Sequence, residues 1–133
     1  MRLAELGLPR VPMTVFAKGA WYALDELCDS GYDCVGLDWT FDPATAVRIA
    51  RGRVALQGNM DPNVLYGGRK AITEAVERMV KGFEHAEGKW ICNLGHGITP
   101  GVDPEDLKWF FEEVARVGGE LYKKTLPPSP KLQ

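Results

Sequence analysis

Polar and titratable residues collect at four places in this chain, each at the end of a short apolar run. Lys18-Gly19 follows residues 11–17 (VPMTVFA), and Asp38-Trp39-Thr40 closes the run that begins at Cys34. Gln57-Gly58-Asn59, with Asp61-Pro62, follows Val54, and Asn93-Leu94-Gly95-His96-Gly97 follows Trp90. In parallel α/β folds, ligands bind at the carboxyl ends of strands, so this placement favours one shared binding face. His96 is the sharpest single residue. Between two glycines the backbone can turn tightly and present the imidazole to a cleft as a proton carrier or anion contact. A loop histidine bonded to a neighbouring carbonyl would read the same way. Asp38 fits either an acid/base or binding carboxylate, or a fixed partner for an arginine or backbone N–H. Lys18 fits an anionic substrate, or a solvated rim charge. Asn59 and Asp61 flank a proline-bounded turn, where Asp61 also suits the cap of a helix starting at Pro62. His85, in HAEGK, reads as a surface or helix-terminal residue. The nucleotide-binding G-x-G-x-x-G, the P-loop, the metalloprotease H-E-x-x-H and the serine nucleophile elbow are all absent.

The elements that must carry these residues alternate. Apolar runs at 11–17, 34–39, 54–57 and 90–94 read as strands. Helical patterns lie between and after them, at 21–28, 43–50, 70–84 and from 104 to about 117. Asp42 before Pro43 is an N-cap followed by a first-turn proline. Ile72, Val76, Met79, Val80 and Phe83 recur at the spacing of a buried helical stripe, and Leu107, Phe110, Phe111 and Val114 are expected to face inward from the last helix. Strand–helix alternation implies right-handed βαβ crossovers and a parallel sheet buried on both faces. Four such units make either a small open doubly wound sheet or half of a (β/α)8 barrel of about 250 residues. Periodicity does not separate the two. The expected organisation is one domain over 1–122 and a disordered tail over 123–133, because TLPPSPKLQ has three prolines and no apolar period.

Length and composition bound the rest. The chain has 133 residues, 45% hydrophobic and 26% charged, which suits one ordinary soluble domain with a core. A net charge of -2 and a pI near 5.7 offer nothing to nucleic acid or an anionic membrane. No apolar run approaches the roughly 20 residues that cross a bilayer, and MRLAELGLPR makes a poor signal peptide, so a cytoplasmic protein is expected. Cys28, Cys34 and Cys92 form no C-x-x-C pair and read as small buried hydrophobes, with no metal site.

VPMTVFAKG, GYDCVGLDWT, ALQGNMDP with LY shortly after, and WICNLGHGITPGVDPE occur in this order. Together they resemble the uroporphyrinogen decarboxylase family over about residues 11–122. The resemblance implies the C-terminal half of a (β/α)8 TIM barrel, from a cytosolic homodimer that uses no cofactor or metal. It implies a carboxy-lyase of haem and porphyrin biosynthesis, which turns the four acetate arms of uroporphyrinogen III into the methyls of coproporphyrinogen III with release of carbon dioxide. The family's pyrrole-binding aspartate and the arginines, tyrosine and serine of its cleft come from segments absent here. Only the histidine of NLGHG carries over, onto His96, as the catalytic candidate expected to meet a substrate carboxylate or a pyrrole edge. Lys18, Asp38 and Asn59 join it as substrate-binding candidates at the strand ends. A half barrel has two open sheet edges, so the expected partners are the tetrapyrrole, another copy, or a full-length decarboxylase. With so much of the cleft missing, a fragment inactive alone and a non-catalytic chain that binds a tetrapyrrole or caps a partner both stay open. The zinc-dependent corrinoid methyltransferases share the barrel, but their zinc needs three soft ligands, and Phe16-Ala17-Lys18 and Gly95-His96-Gly97 supply at most one.

Overall fold

The computed structural model describes residues 5–7 and 9–125. Its first unit is β1 (Thr14–Phe16), then a 3-10 turn over Trp21–Ala23 that leads into α1 (Leu24–Asp29). Next come β2 (Cys34–Gly36), α2 (Pro43–Ala50) and β3 (Ala55–Met60). A 3-10 segment, Pro62–Gly67, precedes α3 (Gly68–Gly82), and β4 (Trp90–Leu94) and α4 (Pro104–Thr125) complete the chain. The strand order is β1-β2-β3-β4, with every neighbouring pair parallel. A doubly wound sheet reverses its order partway. Here each crossover moves one strand on in the same direction, so the helices lie on one face and contact each other in sequence. This is an arc of a (β/α)8 barrel.

The core lies between sheet and helices. Val35 and Leu56 point to the helical side, where Leu24, Leu65, Ile72, Val76 and Val80 complete a set of fully buried side chains. The expected stripe on α3 is buried at all five positions. Asp42 caps α2 as its sequence predicts, accepting the Thr45 amide at 2.8 Å. Asp61 caps the 3-10 segment by accepting the Asn63 amide at 2.9 Å. Among the described residues the opposite sheet face is only partly covered. One layer across it reads Phe16, Gly36, Gln57, Ile91, and its apolar ends Phe16 and Ile91 are about half exposed.

Several boundaries differ from the sequence expectation, for local reasons. β1 pairs over three residues only, since it has a neighbour on one side. β3 runs on to Met60 through Gly58-Asn59, which look like turn residues, because β4 pairs with it as far as Leu94. α4 passes Gly118-Gly119 and continues to Thr125, with Val117 and Leu121 packed on the core. The last three helical residues fall within the expected tail, and 126–133 lie outside the described residues. Phe111 is 60% exposed, not inward-facing. Adjacent residues on a helix cannot share a face, and the inward place belongs to Phe110. His85 is exposed beyond the end of α3, with Nε2 3.2 Å from Glu84. Cys28 and Cys34 are buried, Cys92 is partly buried, and all three are free thiols.

Candidate functional site

The loops after β1, β2 and β4, together with the end of β3, converge on Asp38, which is 6% exposed. Its Oδ2 accepts the Gly19 amide of the β1 loop at 2.5 Å. Its Oδ1 accepts the Thr40 amide at 2.9 Å and the Thr40 hydroxyl. Its backbone oxygen accepts Asn59 Nδ2 from β3 at 2.9 Å, and the same nitrogen donates to Phe41 O at 2.7 Å. The β4 loop arrives through Gly95, whose amide donates to Met60 O at 2.7 Å. A Cβ on Gly95 would stand 3.0 Å from Asp38 C and Trp39 Cα. Gly95 therefore permits contact between two backbones. Neither it nor Gly97 has a positive φ, so the tight-turn reading of these glycines is replaced by close approach at Gly95. Burial pushes the Asp38 carboxyl up, but the Thr40 hydroxyl, the Gly19 and Thr40 amides and the Lys18 charge outweigh it and hold it below the usual carboxylate range.

Above this junction sits a cluster of rings with one cation. Lys18 Nζ lies 4.9 Å from the centre of the Trp39 ring, a cation–π contact. His96 stands edge-on to Trp39, with centroids 6.1 Å apart and planes at 83°. It is also edge-on to Phe16, at 6.1 Å and 66°. His96 is exposed. It borders an open pocket of about 420 Å³ on the partly covered sheet face, lined also by Phe16, Gln57 and Asn93 and, round the free edge of β4, by Phe110 and Phe111. Gly36 leaves the Phe16 ring its place, since a Cβ there would come within 3.0 Å of that ring.

Of the four residues singled out by sequence, Lys18 and His96 both contact the Trp39 ring at the rim, the ammonium over the ring and the imidazole edge-on to it. Asp38 lies beneath them, with both carboxylate oxygens engaged by the chain itself. Asn59 is buried at 5% exposure and does not line the pocket. Sequence reasoning did not single out Trp39 and Phe16 as the rings that hold the imidazole, nor, among the strand-end polar residues, Gln57 and Asn93 as those that line the pocket. A signal existed for the last three. The period of two along each strand separates Phe16, Gln57 and Asn93 from the core-facing Val15, Leu56 and Cys92 once the helical side is known.

The arrangement offers one ammonium group, one imidazole, two amides and flat apolar walls. It suits a planar ligand that carries carboxylates. Among the described residues no three His, Cys, Asp or Glu side chains gather as a metal-ligand set, and no helix is long and apolar enough to cross a membrane.

The family described as uroporphyrinogen decarboxylase matches residues 3–117, a span that holds all four rim loops. Among relatives that bear this name, that of Schizosaccharomyces pombe is 57% identical over 110 residues, 81% of this chain and 30% of the relative. That of Danio rerio is 47% identical over 123 residues, 92% of this chain and 33% of the relative. The human protein is 44% identical over 113 residues, 85% of this chain and 30% of the relative. The chain thus spans about a third of the length of the curated relatives it matches. A parallel barrel arc, the converged rim and a family match over most of its residues lead to one conclusion: this chain belongs to the uroporphyrinogen decarboxylase family.

Proposed function

We propose that this chain supplies part of the barrel and part of the substrate rim of a uroporphyrinogen decarboxylase, and that it does not turn over substrate alone. The observation that carries the reading is the Lys18–Trp39–His96 cluster at the carboxyl ends of the strands. In the reaction, a proton adds to a pyrrole carbon and makes the ring an electron sink. The bond from the adjacent methylene to its carboxylate breaks, its electron pair flows into the ring, and carbon dioxide leaves. Protonation of the freed methylene and loss of the ring proton restore the pyrrole with a methyl group, so each acetate consumes one proton net. Lys18 and His96 bind substrate carboxylates, with His96 also within reach of a pyrrole edge, and Trp39 and Phe16 supply the flat wall. Asp38 and Asn59 hold the rim from below.

The proton donor and the remaining cationic groups would come from parts of the relatives that this chain does not span. A cytosolic setting fits that chemistry. The test is a decarboxylation assay on the 133-residue chain with uroporphyrinogen, alongside titration with uroporphyrin followed by tryptophan fluorescence. Binding without turnover, weakened by Lys18→Ala and by His96→Ala, is expected. Absence of binding would sink the reading, and turnover abolished by His96→Ala would overturn its claim of insufficiency.

The open edges of β1 and β4 and the exposed Phe16 and Ile91 favour a second reading, in which the chain pairs with another copy or caps a full-length decarboxylase without catalysis. A monodisperse monomer by light scattering, with no co-purification of full-length enzyme, would count against it.

A further inference from the structure

We propose that Asp38 is the positioning residue of this rim: its carboxylate latches the Lys18–Gly19 turn onto the loop that follows β2, and so holds the Lys18 ammonium over Trp39, the ring that His96 also contacts. What the held groups bind rests on the tetrapyrrole reading above; the latch itself does not. Lys18 is the long, flexible member of the cluster, and an exposed cation–π contact is too weak to immobilise it unaided. Its backbone must therefore be held. Gly19 turns the chain at a φ of +76°, with a local bond from Ala20 N to Ala17 O, and its own amide reaches across to Asp38 Oδ2. Asp38 is fixed in turn by Thr40 at its other oxygen, by Asn59 at its carbonyl, and by Gly95 against its peptide. The latch joins the loop that carries Lys18 to the residue that presents Trp39, and Gly95 seats the loop that carries His96 on the same peptide.

The carboxylate is needed because every group that meets it is a donor. Asp38→Asn keeps one acceptor oxygen. Two donors from Thr40 compete for it against one from Gly19, so the new amide group turns toward Gly19, donor against donor. The variant thus opens the β1 loop selectively and keeps the β2 turn closed.

The first readout is NMR of the chain. In the wild type the Lys18 Cε protons are shifted upfield by the Trp39 ring. In Asp38→Asn they return to the values of a free lysine and the Gly19 amide proton moves upfield, while Asp61→Asn leaves both alone. The second readout is uroporphyrin affinity. Asp38→Asn and Lys18→Ala each weaken it about tenfold, and the double variant is no weaker than Lys18→Ala alone, because both remove the same contact. If Asp38→Asn loses its fold by circular dichroism, the wild type carries the test through acid titration. The Lys18 and Gly19 signals then move together with the Asp38 carboxyl carbon; Lys18, Asp42, Asp61, His96 and Asp103, the other titratable side chains on these loops, are followed by their own resonances. Unchanged Lys18 shifts in the folded variant, or additive losses in the double variant, would overturn the latch. A wild type that binds no uroporphyrin would sink the tetrapyrrole reading and leave the NMR test standing.

Discussion

Replacing Gly95 with alanine puts a methyl where the Asp38–Trp39 peptide already is. The added Cβ would overlap the Trp39 amide nitrogen and stand 3.0 Å from Asp38 C and Trp39 Cα. These are backbone atoms of a segment held by Gly19, Thr40 and Asn59, so they cannot swing aside as a side-chain tip could. Overpacking of this kind costs about 1–3 kcal/mol. Relief by lifting the β4 loop would sacrifice the Gly95 N–H bond to Met60 O at 2.7 Å, a further loss of about 0.5–1.5 kcal/mol. The sum, roughly 2–4 kcal/mol, is a large part of the ~5–15 kcal/mol that holds a domain folded. With a urea slope of about 2 kcal/mol per molar, the midpoint should fall by roughly 1–2 M at unchanged slope. Gly97→Ala is the internal control. Nothing lies within 4 Å of a Cβ at Gly97 and its φ is not positive, so its cost should stay within about 0.5 kcal/mol. Urea denaturation followed by tryptophan fluorescence measures both. Equal midpoints for the two variants would refute the claim that close approach, and not turn flexibility, is why glycine stands at position 95.

Asp42→Ala should cost about 1 kcal/mol through loss of the α2 cap. The Thr45 hydroxyl and amide hold the Asp42 carboxyl below its usual range, so its stabilisation is present above the ordinary carboxylate pKa and fades as pH falls through the lowered one. The gap in urea midpoint between wild type and variant should therefore narrow between about pH 7 and pH 2, and a constant gap would contradict the cap. Burial pushes the Cys92 thiol up to about 12 and also raises Cys28 and Cys34. At pH 8 the Cys92 thiolate fraction is then on the order of 10⁻⁴, so iodoacetamide should label the native chain slowly and all three cysteines quickly in urea. Fast native labelling at Cys92, read by mass spectrometry of peptides, would show that this thiol is not buried as described.

Local chemistry made much of this chain legible from residue order alone. The bounds of β4 and α2, the buried stripe on α3 and the caps at Asp42 and Asp61 all follow from side-chain period and from donors within three residues. The sequence also placed Lys18, Asp38 and His96 after strands, which put them at one end of any parallel sheet. Tertiary structure decided the rest, because the deciding partners are far apart in the chain. β3 continues through Gly58-Asn59 only because β4, more than thirty residues on, pairs with it there. α4 survives two glycines because Val117 and Leu121 have a core to pack against. Asp38 meets Gly19 at a separation of 19 residues and Asn59 at 21, so no local pattern could tell a latch from a substrate ligand. Gly95 shows the same limit: its reason is the backbone of another loop, which sequence period cannot see. Hydrogen-bond donors and side-chain period act over a few residues, whereas a close contact or an engaged carboxylate depends on which strands the fold brings together.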